Sequence, residues 1–175
     1  MASQPLPPFL RLPAELRNRI YHEALIEGKE PIHLADERVA APLLSVCHQT
    51  RKESADIFYS NNIFQFDKPK VCLNFLLGLS QKQRELVREL RYDCSEVCEN
   101  SASWRLAFQD LPGLDEDAKI GKLRSRLAEN GIILRSDVLK AGIRINGRLV
   151  WSADPLSEAR DAVQNGSLVG RVMFV

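Results

Sequence analysis

The chain has 175 residues, 45% hydrophobic and 27% charged, a balance that suits a globular domain with a sizeable core and excludes wholesale disorder. Lys and Arg total 24 against 23 Asp and Glu, so the net charge of +1 gives no global attraction to a phosphate backbone, and nucleic acid is not expected as a partner. No apolar run is long enough to span a membrane, and the opening MASQPLPPFLRLP lacks the basic-then-apolar order of a secretory signal, so an intracellular chain, cytoplasmic or nuclear, with reduced thiols is expected.

Residues 1–8, with three prolines, read as a flexible arm. Pro13 suits the first turn of a helix, where its missing N–H is no loss, and Glu15 complements the helix dipole there. Leu12, Leu16, Ile20 and Ala24 recur every four residues, with Tyr21 and Leu25 widening the stripe. Arg17, Asn18 and Glu23 fall off it. This predicts an amphipathic helix over 13–26 with that stripe turned inward, stopped at Gly28. A loop follows over 28–41, in which Ile32 and Leu34 suit a brief strand. A second helix is expected to start at Pro42 and run unbroken through Leu43, Leu44, Cys47, Arg51, Ala55 and Phe58, with Val46, Thr50 and Ile57 broadening its buried face. Asn61-Asn62 ends it, since Asn tolerates a left-handed conformation. The alternation of Ile63-Phe64-Gln65-Phe66-Asp67 predicts a strand with Phe64 and Phe66 on one face.

Pro69 opens a third helix with Val71, Cys72, Phe75, Leu76 and Leu79 inward. Ser80 with Gln83 has the spacing of a capping box at the head of a short helix. Leu90, Tyr92 and Cys94 alternate as in a strand, 95–101 reads as a loop, and Trp104, Phe108 and Leu111 mark a short helix closed by Pro112-Gly113. The acidic run 115–117 decorates the N-terminus of another helix, with Ile120, Leu123 and Leu127 inward and Asn130-Gly131 at its end. Ile132-Ile133-Leu134 is apolar enough for a strand. Asn146-Gly147 sits between two alternating runs, Gly142–Ile145 and Arg148–Trp151, the pattern of a hairpin with a type I′ turn. Asp154 caps a last helix with Leu156, Ala159 and Val163 inward and Asn165-Gly166 at its end, and residues 168–175 read as a closing strand. The fold class expected is α+β: a helical N-terminal module with short strands over 9–95, then a region of helices, short strands and a β-hairpin over 96–175. The loop at 95–101 is the best boundary, and one continuous domain is the alternative.

No stretch carries a phosphate-cradling glycine motif, a GxSxG elbow or an HExxH pair. Cys94 and Cys98 stand four apart with no second pair nearby, which suits two thiols lining a strand and a loop better than a zinc site. Cys47 and His48 are neighbours on a helix and diverge by about 100°, so they do not make a nucleophile–base pair. Arg51 and Lys52, and the series Lys119, Lys122, Arg124, Arg126, interleave with Glu53, Asp56, Glu116 and Glu129, the mixed signs of a solvated face. Catalytic, metal and cofactor residues are therefore not expected, and the chain does not read as an enzyme.

Three blocks carry a resemblance: Phe9-Leu10-x-Leu12-Pro13-x-Glu15-Leu16-x-x-x-Ile20-Tyr21, then Leu43-Leu44-x-Val46-Cys47-x-Gln49-x-Arg51-x-Glu53, then Phe58-Tyr59-x-x-Asn62-x-Phe64-x-Phe66. In order and spacing they resemble fungal F-box-like proteins over residues 9–66, and Phe75-Leu76-x-x-Leu79 with Val87-Arg88-x-Leu90 looks like that group's continuation. The resemblance implies a protein-interaction module that buries apolar surface on the adaptor Skp1, while the rest of the chain presents a client to a cullin-type ubiquitin ligase. Leu12, Pro13, Leu16 and Ile20 match its first-helix positions, and Leu44, Val46 and Cys47 match the second block; these are the partner-binding residues it implies. Thr50 stands where the ordinary F-box has Trp, so a large aromatic anchor is missing there. From the residues alone, the same apolar positions need only a core, which keeps open a self-contained scaffold or regulatory domain without a ligase link.

Overall fold

In the computed structural model, which describes residues 7–26, 28, 30–34, 41–93, 115–145, 148–165 and 172–174, the chain builds an α+β fold around one mixed sheet of six strands. A 3-10 turn at Pro8–Arg11 leads into α1 (Ala14–Leu25). Strands β1 (Ile32–His33), β2 (Ile63–Phe66), β3 (Glu89–Tyr92) and β4 (Leu139–Ile145) run parallel to their neighbours in sequence order. Strands β5 (Arg148–Ser152) and β6 (Val172–Phe174) both pair antiparallel with β4. Helices α2 (Leu43–Val46) and α3 (His48–Asn61) connect β1 to β2, and α4 (Pro69–Leu77) and α5 (Gln81–Leu86) connect β2 to β3. Helix α6 (Asp115–Glu129) precedes β4, and α7 (Pro155–Gln164) lies between β5 and β6. Because β3 and β4 are hydrogen-bonded neighbours, one sheet runs through both the 9–95 and the 96–175 stretches.

The parallel strands advance one place at a time, so right-handed crossovers bring the connecting helices to the same face of the sheet. The register agrees with that. Phe64 aligns with Leu90 and Leu139, Phe66 aligns with Tyr92 and Ala141, and all six are buried. Side chains alternate across a strand, so the intervening Gln65, Arg91 and Lys140 take the opposite face. Over the apolar face, the Phe64 ring lies 5.0 Å from Phe75 and 5.6 Å from Phe58, Phe66 stacks on Tyr92 at 5.2 Å, and α6 contributes the buried Ile120, Leu123 and Leu127. Val71, Cys72, Leu76 and Leu79 are buried as expected, with Phe75 partly so. The Cys72 thiol is pushed up to about 12 by that burial, so it is an inert core group.

Several local signals act as read from the sequence. Pro69 begins α4, Ser80 and Gln83 form the reciprocal capping box of α5, and Gly131 ends α6 with φ +71°, a conformation that favours glycine. Asp154 Oδ1 accepts the Ser157 N–H at 3.1 Å at the head of α7. The hairpin strands pair with Ile145 opposite Arg148. Its turn residues, the strand end at Cys94, the loop and helix expected over 95–113, and the side chains of Leu156, Ala159 and Val163 lie outside the described residues.

Several expectations are corrected. The helix expected from Pro42 to Phe58 is two helices, broken at Cys47, whose backbone is extended (φ −157°, ψ 169°). Cys47 is instead the cap of α3, its Sγ accepting the Thr50 N–H at 3.4 Å. Pro13 precedes α1 as its cap rather than standing in its first turn. Ile132–Leu134 is not a strand: Ile132 is buried, while Ile133 is 91% exposed. Asn62 does end α3, but in an extended conformation (φ −94°) and through its side chain, which donates to Leu25 O at 2.7 Å and Phe58 O at 2.9 Å. That side chain is buried and ties the C-terminus of α1 to that of α3. Asn62→Ala removes the amide from Leu25 O and leaves Phe58 O only the backbone N–H of residue 62, and is expected to cost about 1–2 kcal/mol, read as a lower urea midpoint at unchanged slope. A cost under about 0.5 kcal/mol would mean that water replaces the amide without loss.

Candidate functional site

Helix α1 packs on α3, and a polar cluster fixes the angle of approach. Arg17 donates from Nε to Glu53 Oε2 and from Nη2 to Glu53 Oε1, both at 2.8 Å, a two-pronged ion pair. Its third nitrogen, Nη1, donates to Leu12 O at 2.6 Å, pinning the segment ahead of the helix. Tyr21 donates its hydroxyl to Glu53 Oε2 at 3.0 Å, and Gln49 Nε2 donates to Oε1 at 3.0 Å. The Arg17 guanidinium, and then the Gln49 amide, hold the Glu53 carboxyl down to about 2. Burial, and then the Glu53 hydrogen bond, raise the Tyr21 phenol above its ordinary value. Phe9 closes over Tyr21 with ring centroids 5.6 Å apart.

This arrangement turns the expected face of α1 by one step: Tyr21 and Leu25 point inward as expected, Arg17 joins them, and Leu16, Ile20 and Ala24 of the same expected stripe face out. The two stripes share a four-residue spacing and differ by one step of about 100°, so periodicity alone does not choose between them. The ion pair chooses, because turning α1 by one step would carry Arg17 and Tyr21 away from Glu53 and leave that carboxylate only Gln49. The outcome is that Leu16 is 44% and Ile20 41% exposed, one helical turn apart on the same face.

The second block ends similarly. Val46 closes α2 with 66% of its surface exposed, Pro13 is exposed, and Leu12, Leu44 and Cys47 are half-buried, Leu44 against the core. Of the seven positions singled out in the sequence, three thus present large apolar side chains to solvent. They belong to elements organised around the N-terminus of α3. Arg51 Nε donates to Leu44 O at 2.6 Å across the α2–α3 corner and fixes the bend that carries Val46 outward. Thr50 hydrogen-bonds back to Cys47, Oγ1 to Sγ 3.1 Å, and is 2% exposed. Where the resemblance places a Trp, this fold therefore has a small, enclosed side chain that hydrogen-bonds with Tyr21.

Hydrogen bonds from the Thr50 hydroxyl and then the Thr50 N–H draw the Cys47 thiol below its ordinary value, while His48 is exposed and makes no pair with it. Among the described residues, no three His, Cys, Asp or Glu side chains gather as a metal site would require, and no helix is long and apolar enough to cross a membrane.

The Arg17–Glu53 cluster went unread in the sequence, where both residues passed for solvated charges. The spacing Arg17–Tyr21 and Gln49–Glu53, four residues each, was the available signal. A second cluster, on the sheet face away from the helices, was also unread. Glu89 receives Arg91 Nε at 2.6 Å and Lys140 Nζ at 2.8 Å, and Arg91 lies 5.1 Å over the Trp151 ring. Burial pushes the Glu89 carboxyl up, but the hydrogen bonds from Lys140 and Arg91 outweigh it and the net shift is down. No family model, curated protein or solved structure matches this chain.

Proposed function

We propose that this chain is a non-enzymatic protein-interaction module, an F-box-like adaptor that docks Skp1 on the outer faces of α1 and α2 and leaves the rest of the fold to present a client to a cullin-type ubiquitin ligase. The observation that carries this reading is the exposure of Leu16, Ile20 and Val46. The core under α1 and α3 is completed by Tyr21, Leu25 and Phe58 without them, so their exposure is not explained by folding. Exposed apolar side chains on a rigid scaffold are what a partner's groove takes up. The Arg17–Glu53 cluster supplies the rigidity.

The test is calorimetric titration of the full chain with purified Skp1. A complex with a dissociation constant of about 10 μM or tighter is expected, weakened at least about tenfold by Leu16→Glu with Ile20→Glu while the thermal midpoint holds. A folded wild-type chain that shows no heat and no co-elution at about 100 μM of each protein would sink the adaptor reading.

One observation favours a second reading, a scaffold or regulatory domain without a ligase link. Thr50 is enclosed where the F-box anchor would project. In that case the same exposed positions serve a different protein, and Skp1 fails to bind while the Leu16→Glu, Ile20→Glu chain folds normally.

A further inference from the structure

Strand β5 is the last in the sheet order, so beyond its pairing with β4 its outer edge has no strand partner among the described residues. An open edge is usually blunted by a lysine, a proline, a bulge or extreme shortness. Strand β5 has none of these. It is five residues long, Arg148-Leu149-Val150-Trp151-Ser152, and pairs with β4 in unbroken register from Ala141↔Ser152 to Ile145↔Arg148. Its one charge, Arg148, stands at the end.

The hairpin register says which backbone groups are open. Two residues separate Ile145 from Arg148, which makes that pair a hydrogen-bonded one. Bonded and non-bonded pairs alternate, so Val150 and Ser152 also bond to β4, while Leu149 and Trp151 turn their N–H and C=O groups to the outer edge, which has no strand partner among the described residues. Both side chains lie on the sheet face away from the helices. Leu149 is 40% exposed. Trp151 is half-buried under the Arg91 guanidinium, which Glu89 and in turn Lys140 hold in place. A ring already fixed in this way loses little freedom when it enters a contact.

We propose that two copies of this chain pair antiparallel along β5, about a twofold axis at Val150. In that register Leu149 faces Trp151 of the second copy, and the two open residues of each edge exchange all four N–H···O=C bonds. Val150 faces its own counterpart, and Arg148 faces Ser152, so no like charges meet. The two Leu149–Trp151 contacts lie side by side on one face, an aliphatic–aromatic pairing that favours adjacent strands. The strand is thus complementary to itself, as an isologous contact requires. The α1–α2 face plays no part in it.

The contact is small, so a weak dimer is expected, with a dissociation constant on the order of 10–100 μM. Sedimentation velocity of the full chain from about 5 to about 500 μM should show the mass rising from monomer toward dimer. Leu149→Lys should weaken pairing at least about tenfold at an unchanged thermal midpoint. Val150→Lys and Val150→Glu should each be monomeric, and their equimolar mixture should dimerise again, because only this register sets position 150 against itself. A wild-type chain that stays monomeric throughout overturns the proposal, as does a dimer that Leu149→Lys leaves intact. A monomeric wild type that instead takes up an extended segment of another protein along β5 also overturns it. Folded Val150 variants that fail to recover on mixing overturn the Val150 register, and if neither folds, Leu149→Lys alone decides.

Discussion

Truncation of Phe64 to alanine is expected to lower the unfolding free energy by about 4 kcal/mol. Phe64 is fully buried on β2 and its ring meets those of Phe58, Tyr59 and Phe75, so it joins the sheet to both α3 and α4. Removing it leaves a hole among rigid rings that have little room to collapse, which puts the effect in the upper part of the range for large-to-small core changes. In a chain of this length the loss corresponds to a fall in thermal midpoint of roughly 8–16 °C. Leu16→Ala, made at an exposed position of α1, should cost less than about 1 kcal/mol. A urea titration of both variants checks the contrast. A Phe64→Ala loss below about 2 kcal/mol would mean that the aromatic cluster repacks and is not the joint between sheet and helices.

The contrast also marks what a sequence discloses. The strand Ile63–Phe66 was legible because Phe64 and Phe66 fall two apart and demand a covered face. The ends of α4, α5 and α6 were legible because Pro69, Ser80 with Gln83, and Gly131 act on their own immediate backbone. The break at Cys47 was not, because Val46-Cys47-His48 carries no Gly or Pro, and it is the Arg51 bond to Leu44 O and the Thr50 bonds to Sγ that favour the bend. The inward turn of Arg17, and with it the outward turn of Leu16 and Ile20, was hidden for a related reason. Leu16 and Ile20 are the more apolar pair, yet Arg17 and Tyr21 take the inside, because their partner Glu53 lies 36 and 32 residues away on another helix. Polar pairing across long separations overrides local hydrophobic rank, and one sequence does not reveal which charges meet. The candidate surface follows from that override, since Leu16 and Ile20 are exposed only because Arg17 and Tyr21 are not. The Lys140–Glu89–Arg91–Trp151 chain needed the parallel register of β3 with β4, which no local pattern encodes.

Neutralising Glu53 as Glu53→Gln should therefore disturb both stability and its pH dependence. The carboxyl titrates near 4.5 in the unfolded chain and at about 2 in the folded one. Between those values the unfolded chain binds the proton and the folded chain does not, so stability is full above about pH 4.5 and is withdrawn as pH falls toward 2. A carboxylate buried completely with its partner would lose about 3–5 kcal/mol when the pair is broken, but solvent reaches 24% of the Glu53 side chain, and about 2 kcal/mol is expected at this site. At pH 7 the Glu53→Gln chain should thus melt roughly 4–8 °C below wild type. On acidification the wild type should lose ground from about pH 5 downward while the variant, which has no carboxyl at this position, loses less, so the two curves converge near pH 2. Convergence is the decisive feature, because a simple packing defect at position 53 would keep the curves parallel. A constant gap across that range would remove Glu53 as the anchor of α1 and, with it, the cause of the outward turn of Leu16 and Ile20. If the curves converge, the same variant becomes a probe of the surface: under the proposed adaptor function, loosening α1 should weaken the Skp1 affinity by several-fold at pH 7 without altering any residue that would touch the partner.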